Sequence, residues 1–107
     1  MTYVFDIDGT ICISSNSEYE KATPLQDRIK VVNDLYDQGH SIIFQTARGM
    51  GRSGNSAAYA HKAFYELTKR QQEEWGVKYH ELKLGKPVYD LFIDDKAINS
   101  HTWERVL

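Results

Sequence analysis

Three short apolar runs in this chain end abruptly on polar or acidic residues, and that recurrence limits what it can fold into. Tyr3-Val4-Phe5 stops at Asp6, Ser41-Ile42-Ile43-Phe44 at Gln45-Thr46, and Val88 to Ile93 at Asp94-Asp95. Runs this short and apolar read as buried strands. Between the first two lies a helical pattern, with Leu25, Ile29, Val32 and Tyr36 along one face and Gly39 where a left-handed C-terminal residue is wanted. Thr23-Pro24-Leu25-Gln26 predicts its start, Thr23 as the cap and Gln26 completing a capping box. After the second run, Gly49 to Gly54 reads as a mobile loop. Ser56 to Trp75 then reads as a helix with Ala60, Ala63, Phe64 and Leu67 as its apolar stripe, stopped by Gly76.

The remaining segments are weaker. Ser14 to Ala22 is polar and mixed, a loop. Val77 to Glu81 reads as a further strand, Pro87 bars helix just before it, and the tail from Ala97 reads as a short helix. Strands alternating with helices predict a parallel sheet with right-handed crossovers. Such sheets bind ligands beyond the carboxyl ends of their strands. Asp6 and Asp8, Thr46, and Asp94-Asp95 all fall at such ends. The expected fold is therefore α/β, Rossmann-like and three-layered, with a small, mainly parallel sheet of about four strands. At 107 residues the chain fits a single domain, residues 1–107.

Composition removes several function classes. A net charge of −2 gives no basic footprint for duplex nucleic acid and no attraction to an acidic membrane. Cys12 is the only cysteine, so an intrachain disulfide and a zinc–thiolate cluster are excluded. The N-terminus has no signal-peptide pattern, and no window approaches the roughly 18 apolar residues of a membrane span. These features predict a cytoplasmic protein. His40, His61, His80 and His101 share no ligand spacing and read as structural or surface residues.

Asp6-Ile7-Asp8-Gly9-Thr10 follows its strand directly. Two carboxylates two residues apart suit a hard cation such as magnesium, which prefers oxygen ligands. At this point a resemblance is plain. VFDIDGTI resembles the first motif of the haloacid dehalogenase superfamily of phosphotransferases. IIFQTARG resembles the second, GKP the third and LFIDD the fourth, all in family order between residues 3 and 95. The resemblance implies a nucleophile at Asp6, forming an aspartyl-phosphate. It implies an acid and then base at Asp8, a phosphoryl hydrogen bond from Thr46, and charge stabilisation by Lys86, which Pro87 favours over Lys83. It implies magnesium between Asp6, the backbone carbonyl of Asp8, and Asp94-Asp95, with Asp95 the favoured direct ligand. Thr10 and Arg48 are the candidate substrate-binding residues, Arg48 with a surface role as its alternative. An acid at Asp8 favours phosphoryl transfer over carbon–halogen hydrolysis.

The family's substrate choice lies in inserted caps, and here there is no room for one. Ile11 to Ala22 holds a small flap at most. Open sites take bulky substrates or are covered by a second subunit, so a homo-oligomer is one expectation. The interval from Lys86 to Asp94 leaves no room for a helix. TAR, GKP and IDDKA look most like small phosphatases of bacterial capsule and polysaccharide biosynthesis, implying a phosphorylated sugar or polyol. The longer Asn-rich segment those proteins carry after TAR is absent. LFIDDKAINSHTW also resembles the phosphatase half of bacteriophage polynucleotide kinase/phosphatases, implying a nucleotide or a 3′-phosphorylated end as the alternative. A receiver domain uses similar residues, but its acidic pair comes first. A non-catalytic phospho-binding or regulatory protein on the same fold is the third reading.

Overall fold

The computed structural model describes residues 1–15 and 18–103. Its frame is a parallel sheet of β1 (Thr2–Phe5), β4 (Ser41–Thr46) and β5 (Glu81–Leu84), in the order β1-β4-β5. Helix α1 (Gln26–Asp37) connects β1 to β4, and α2 (Ala57–Glu74) connects β4 to β5. A separate two-stranded ribbon pairs β2 (Cys12–Ile13) with β3 (Thr23–Pro24) antiparallel and closes the flap between them. The α/β fold with a small parallel sheet is thus the fold present. No described helix is long and apolar enough to cross a membrane.

Register explains the core. Phe5 pairs with Phe44 and Phe44 with Leu82, so these side chains share one face of the sheet. Ile29, Val32 and Leu35 of α1 join them in one cluster, and Trp103 closes it with its ring 5.2 Å from Phe5. The alternate positions Val4, Glu81 and Lys83 are exposed. Asn33 ties the two helices together at their C-terminal ends: its side chain donates to the carbonyl of Gly76 and accepts from the Lys78 N–H.

Several local expectations are corrected. Thr23 does not cap α1, whose N-terminal flanking residue Leu25 makes no side-chain cap bond. Cys12 pairs with Pro24, and the Leu25 N–H donates to the Ile11 carbonyl, so these residues are held extended before the helix can begin. The third parallel strand starts at Glu81 rather than Val77. The N–H groups of Val77 and Lys78 are already spent on the Gln72 carbonyl and the Asn33 side chain. On α2, Ala63 is exposed, while Thr68, Gln71 and Gln72 turn inward.

The fourth parallel strand is not formed: Val88 to Ile93 makes no ladder, and every residue from Pro87 to Asn99 is exposed. The reason is topological. Parallel strands run from one rim of the sheet to the other, so a further segment parallel to β5 needs a crossover of roughly a dozen residues or more. Three residues separate Leu84 from Val88. At the tail, Asn99 to Thr102 form a turn and Trp103 opens a helical turn; the rest of the helix expected there lies outside the described residues.

Gly49 marks where β4's continuation passes closest to α2. It has φ +79°, and a Cβ there would lie 2.7 Å from the Phe64 ring and 3.1 Å from the Ala60 backbone. Gly49→Ala is expected to cost about 2 kcal/mol through combined strain and overpacking. Thermal unfolding should show a lower Tm by roughly 10 °C for a domain of this size. An unchanged Tm would mean the helix yields freely at this contact.

Candidate active site

The turn after β1 is held by the Ile7 carbonyl, which accepts from the N–H groups of Thr10 and Ile11. Ile7 and Ile11 are fully buried, so Asp6 and Asp8 on either side of Ile7 are forced toward the rim. There they meet Thr46 at the end of β4 and Lys86 just past β5. A cleft of about 420 Å³ opens at this place, lined by Asp6, Asp8, Ser14, Tyr19, Thr46, Ala47, Arg48, Gly51 and Val88. A larger hollow of about 640 Å³ beside Gly9 and Arg28 contains none of the candidate residues.

The Lys86 ammonium lies 3.9 Å from an Asp6 carboxylate oxygen, and its backbone N–H donates to the Thr46 carbonyl at 3.1 Å. Lys83 instead projects from within β5 toward Glu81, 3.7 Å away, and is exposed. The structure therefore puts Lys86, not Lys83, beside Asp6. The rings of Tyr89 and Phe92 lie over the same ammonium. Thr46 is buried, and its hydroxyl accepts from the Arg48 N–H at 3.1 Å.

Arg48 is not the surface residue that was the alternative for it. Its side chain is fully buried; it lines the cleft with its guanidinium committed to protein partners. Nε donates to Asp8 at 2.9 Å and Nη2 to the other carboxylate oxygen at 3.0 Å, a bidentate pair. Nη1 donates to Thr68 Oγ1 and Gln71 Oε1 on α2. The Tyr19 ring packs against the guanidinium, 5.0 Å from its centroid. Ser14 Oγ also donates to Asp8, at 2.9 Å, and Cys12 Sγ lies 3.4 Å from it. Thr10, the other candidate substrate residue, is buried and lies outside the cleft; its carbonyl accepts from Arg28.

The two carboxylates are driven in opposite directions. Burial raises the pKa of Asp6, and Lys86 offsets this only in part. Burial also acts on Asp8, but the hydrogen bonds and charge of Arg48, with Ser14 and Cys12, outweigh it and hold Asp8 below the usual carboxylate range. Burial together with the charge of Asp8 pushes the Cys12 thiol up to about 12, so it stays a neutral donor.

Asp94 and Asp95 are not brought to this cleft. Both are exposed, and Asp94 accepts from the Lys96 N–H in a local turn. Among the described residues, no three His, Cys, Asp or Glu side chains are grouped closely enough to hold a metal ion. Of the acidic residues expected to hold magnesium, Asp6 and Asp8 are the two at this cleft, and one or two carboxylates with water and substrate phosphate are what that cation commonly takes.

Five residues here escaped the sequence reading: Cys12, Ser14, Tyr19, Thr68 and Gln71. A signal existed for the last two. Polar residues three apart on the inward face of a helix need buried partners, and a buried guanidinium supplies one.

No protein-family model and no curated protein sequence matches the chain. Solved structures do. A target protein from Vibrio cholerae aligns with TM-score 0.85 and 24% identity, over 94% of this chain and 84% of that one. A chain of the Pnkp1/Rnl/Hen1 complex aligns with TM-score 0.58 and 18% identity, over 96% of this chain and 33% of that one. The D,D-heptose 1.7-bisphosphate phosphatase from B. bronchiseptica, complexed with magnesium and phosphate, aligns with TM-score 0.54 and 15% identity, over 90% of this chain and 53% of that one. These likenesses show a shared fold, the one that the motif resemblance implied.

The opposed carboxylates give opposed stability effects. Asp8 has a folded pKa below its unfolded value, so its contribution is present above the unfolded pKa and is lost as pH falls through the folded one. Asp6 is raised, so ionising it weakens the fold as pH rises. At pH 7, Asp8→Asn should cost roughly 3 kcal/mol, because it leaves a buried guanidinium without its charge partner. Asp6→Asn should raise Tm. Thermal denaturation of the two metal-free variants checks this, and equal shifts of the same sign would refute the assignment.

Proposed function

We propose that the protein is a phosphomonoesterase acting through an aspartyl-phosphate at Asp6. One observation carries the reading: Asp6, Asp8 and Thr46, from two separate segments, line one open cleft at the C-terminal rim of a parallel sheet, and Lys86 from a third stands beside Asp6. The approach of a phosphate dianion to an anionic nucleophile is unfavourable unless positive charge stands beside it. Lys86 supplies that charge. Thr46 spends a lone pair on the Arg48 N–H and keeps its hydroxyl proton for a phosphoryl oxygen. An Asp6 oxygen attacks phosphorus as the ester oxygen leaves; Asp8, ionised at rest beside Arg48, must first take up the proton that it passes to that oxygen, as from a substrate monoanion. Water then attacks the acyl phosphate, with Asp8 as base, and releases inorganic phosphate. The bidentate hold of Arg48 keeps Asp8 in the orientation and ionisation that the second step needs.

Magnesium is the cofactor of this reading, since it would neutralise charge shared by nucleophile and phosphate. Asp6 and the backbone carbonyl of Asp8 would hold it on the cleft, and Asp94-Asp95 is the further pair that the motif resemblance implies. The substrate we favour is a phosphorylated sugar or polyol, as in bacterial polysaccharide biosynthesis. Among the described residues no cap covers the cleft, and Ser14 and Tyr19 give it a polar wall suited to hydroxyl-rich groups. The likeness to a chain of the Pnkp1 complex supports a second reading, a 3′-phosphorylated nucleotide or nucleic-acid end.

A panel of sugar phosphates, nucleotides and 3′-phosphorylated oligonucleotides, assayed for phosphate release, distinguishes these. Turnover should require magnesium and stop with a chelator. Asp6→Asn should lower kcat by about 10³-fold or more, since the covalent step is lost while the fold is kept. Wild-type rates from Asp6→Asn would exclude the mechanism. A protein that binds the panel without releasing phosphate would be the non-catalytic alternative.

A further inference from the structure

The flap between β2 and β3 carries a tyrosine that is held by its backbone, its ring and its hydroxyl. Tyr19 opens the single helical turn Tyr19–Lys21 and lines the cleft. Its carbonyl accepts from Gln71 Nε2 at 2.6 Å, and its hydroxyl accepts from the Gly49 N–H at 3.3 Å. The Phe64 ring meets its ring edge-on at 5.0 Å. The guanidinium groups of Arg48 and Arg52 lie 5.0 and 5.6 Å from its centroid. A side chain held from so many directions meets a ligand already ordered, so binding costs it little further entropy.

The hydroxyl keeps one capacity unspent. A phenol both accepts and donates a hydrogen bond. The Gly49 N–H uses the accepting side, and among the described residues no group accepts the proton. Where that donor stands follows from the acid. Asp8 passes its proton to the ester oxygen, so the leaving group lies on the Asp8 side of the cleft. Ser14 donates to Asp8 from that side, and Arg48, which grips Asp8, packs against the Tyr19 ring. Gln71 sets the spacing between the two. Its Oε1 accepts from Arg48 and its Nε2 donates to the Tyr19 carbonyl. The residue is 5% exposed, so one buried amide links the acid to the donor with little competition from water.

We propose that Tyr19 selects the leaving group: its hydroxyl donates to an oxygen that the departing alcohol carries beyond the ester oxygen, and Gln71 is the positioning residue that sets this donor against Asp8. The substrate class is then a phosphate ester of a polyhydroxy alcohol, with an alkyl ester of the same shape disfavoured. An apolar isostere takes away the water that would serve the donor and offers no acceptor in its place, so a fixed donor rejects it. The naming of that partner as a leaving group rests on the phosphatase reading; the hydrogen bond to the bound ester does not.

Matched pairs of esters test this: glycerol 1-phosphate against propyl phosphate, and glucose 6-phosphate against cyclohexylmethyl phosphate. Affinities are measured by NMR titration on the Asp6→Asn chain, which binds without turnover. In at least one pair the hydroxylated ester should bind about tenfold more tightly, and adding Tyr19→Phe should abolish that preference. Gln71→Glu keeps an acceptor for Arg48 but sets an oxygen against the Tyr19 carbonyl. It should lower the preference roughly threefold while Tyr19 is present and leave the ratio unchanged after Tyr19→Phe. A merely structural role for either residue would weaken both members of a pair alike. Equal affinities within both pairs, or a preference that survives Tyr19→Phe, would overturn the proposal. A preference lost on Tyr19→Phe, from a wild-type chain that releases no phosphate, would uphold the donor and reject the phosphatase reading. Turnover of both members of each pair at equal kcat/KM would do the reverse.

Discussion

The buried pair between Arg48 and Asp8 holds the rim together. A guanidinium with no exposed surface would be prohibitive without partners. Here Nε and Nη2 take the two oxygens of Asp8, and Nη1 takes Thr68 and Gln71. One side chain thereby fixes the turn after β1 to α2, from the end of β4. Gln71 extends the link, since its Nε2 donates to the Tyr19 carbonyl while the Tyr19 hydroxyl accepts from the Gly49 N–H. The flap, the first turn, β4 and α2 are therefore one hydrogen-bonded unit. Such a pair does not have to add net stability over apolar packing. What it adds is geometry: it allows one orientation of Asp8 and one seat for the flap.

That geometry separates two carboxylates that lie two residues apart. Asp8 faces a fixed positive charge that satisfies both of its oxygens. Asp6 faces a lysine at 3.9 Å and otherwise a desolvating environment. Neighbouring acids pushed in opposite directions are the arrangement that lets two identical groups take different roles. The strain falls on Asp6, the residue proposed to react. Its carboxylate is the one whose charge the fold leaves least compensated, and so the one that gains most from an incoming electrophile or cation.

Much of this was legible in the sequence. The runs before Asp6 and Thr46 are strands because short apolar stretches between turn residues have few other ways to bury themselves. Gly39 ends α1 as expected, with φ +93°. The convergence of Asp6, Asp8 and Thr46 followed from parallel topology alone. Arg48 was misread for a physical reason. Charge predicts exposure unless partners exist, and its partners lie 20 and 23 residues away on α2. Thr23 was misread because a capping box is local, whereas β3 forms through pairing with Cys12. Long-range pairing overrides local propensity wherever both claim the same backbone.

The run before Asp94 shows a different limit. Its composition is that of a strand, and periodicity has no means of registering that the connection to it is too short. A parallel strand is defined by where it starts as much as by what it contains. Lys86 pins the chain to the rim where the strand should end, so satisfying its sequence within one chain conflicts with satisfying its connectivity. The apolar residues therefore stay in water, as Leu91 and Ile93 do here. A trimmed fold that drops a crossover helix thus leaves a strand-like run exposed and unpaired. By the same step it leaves the acidic pair exposed and away from the cleft that holds Asp6 and Asp8.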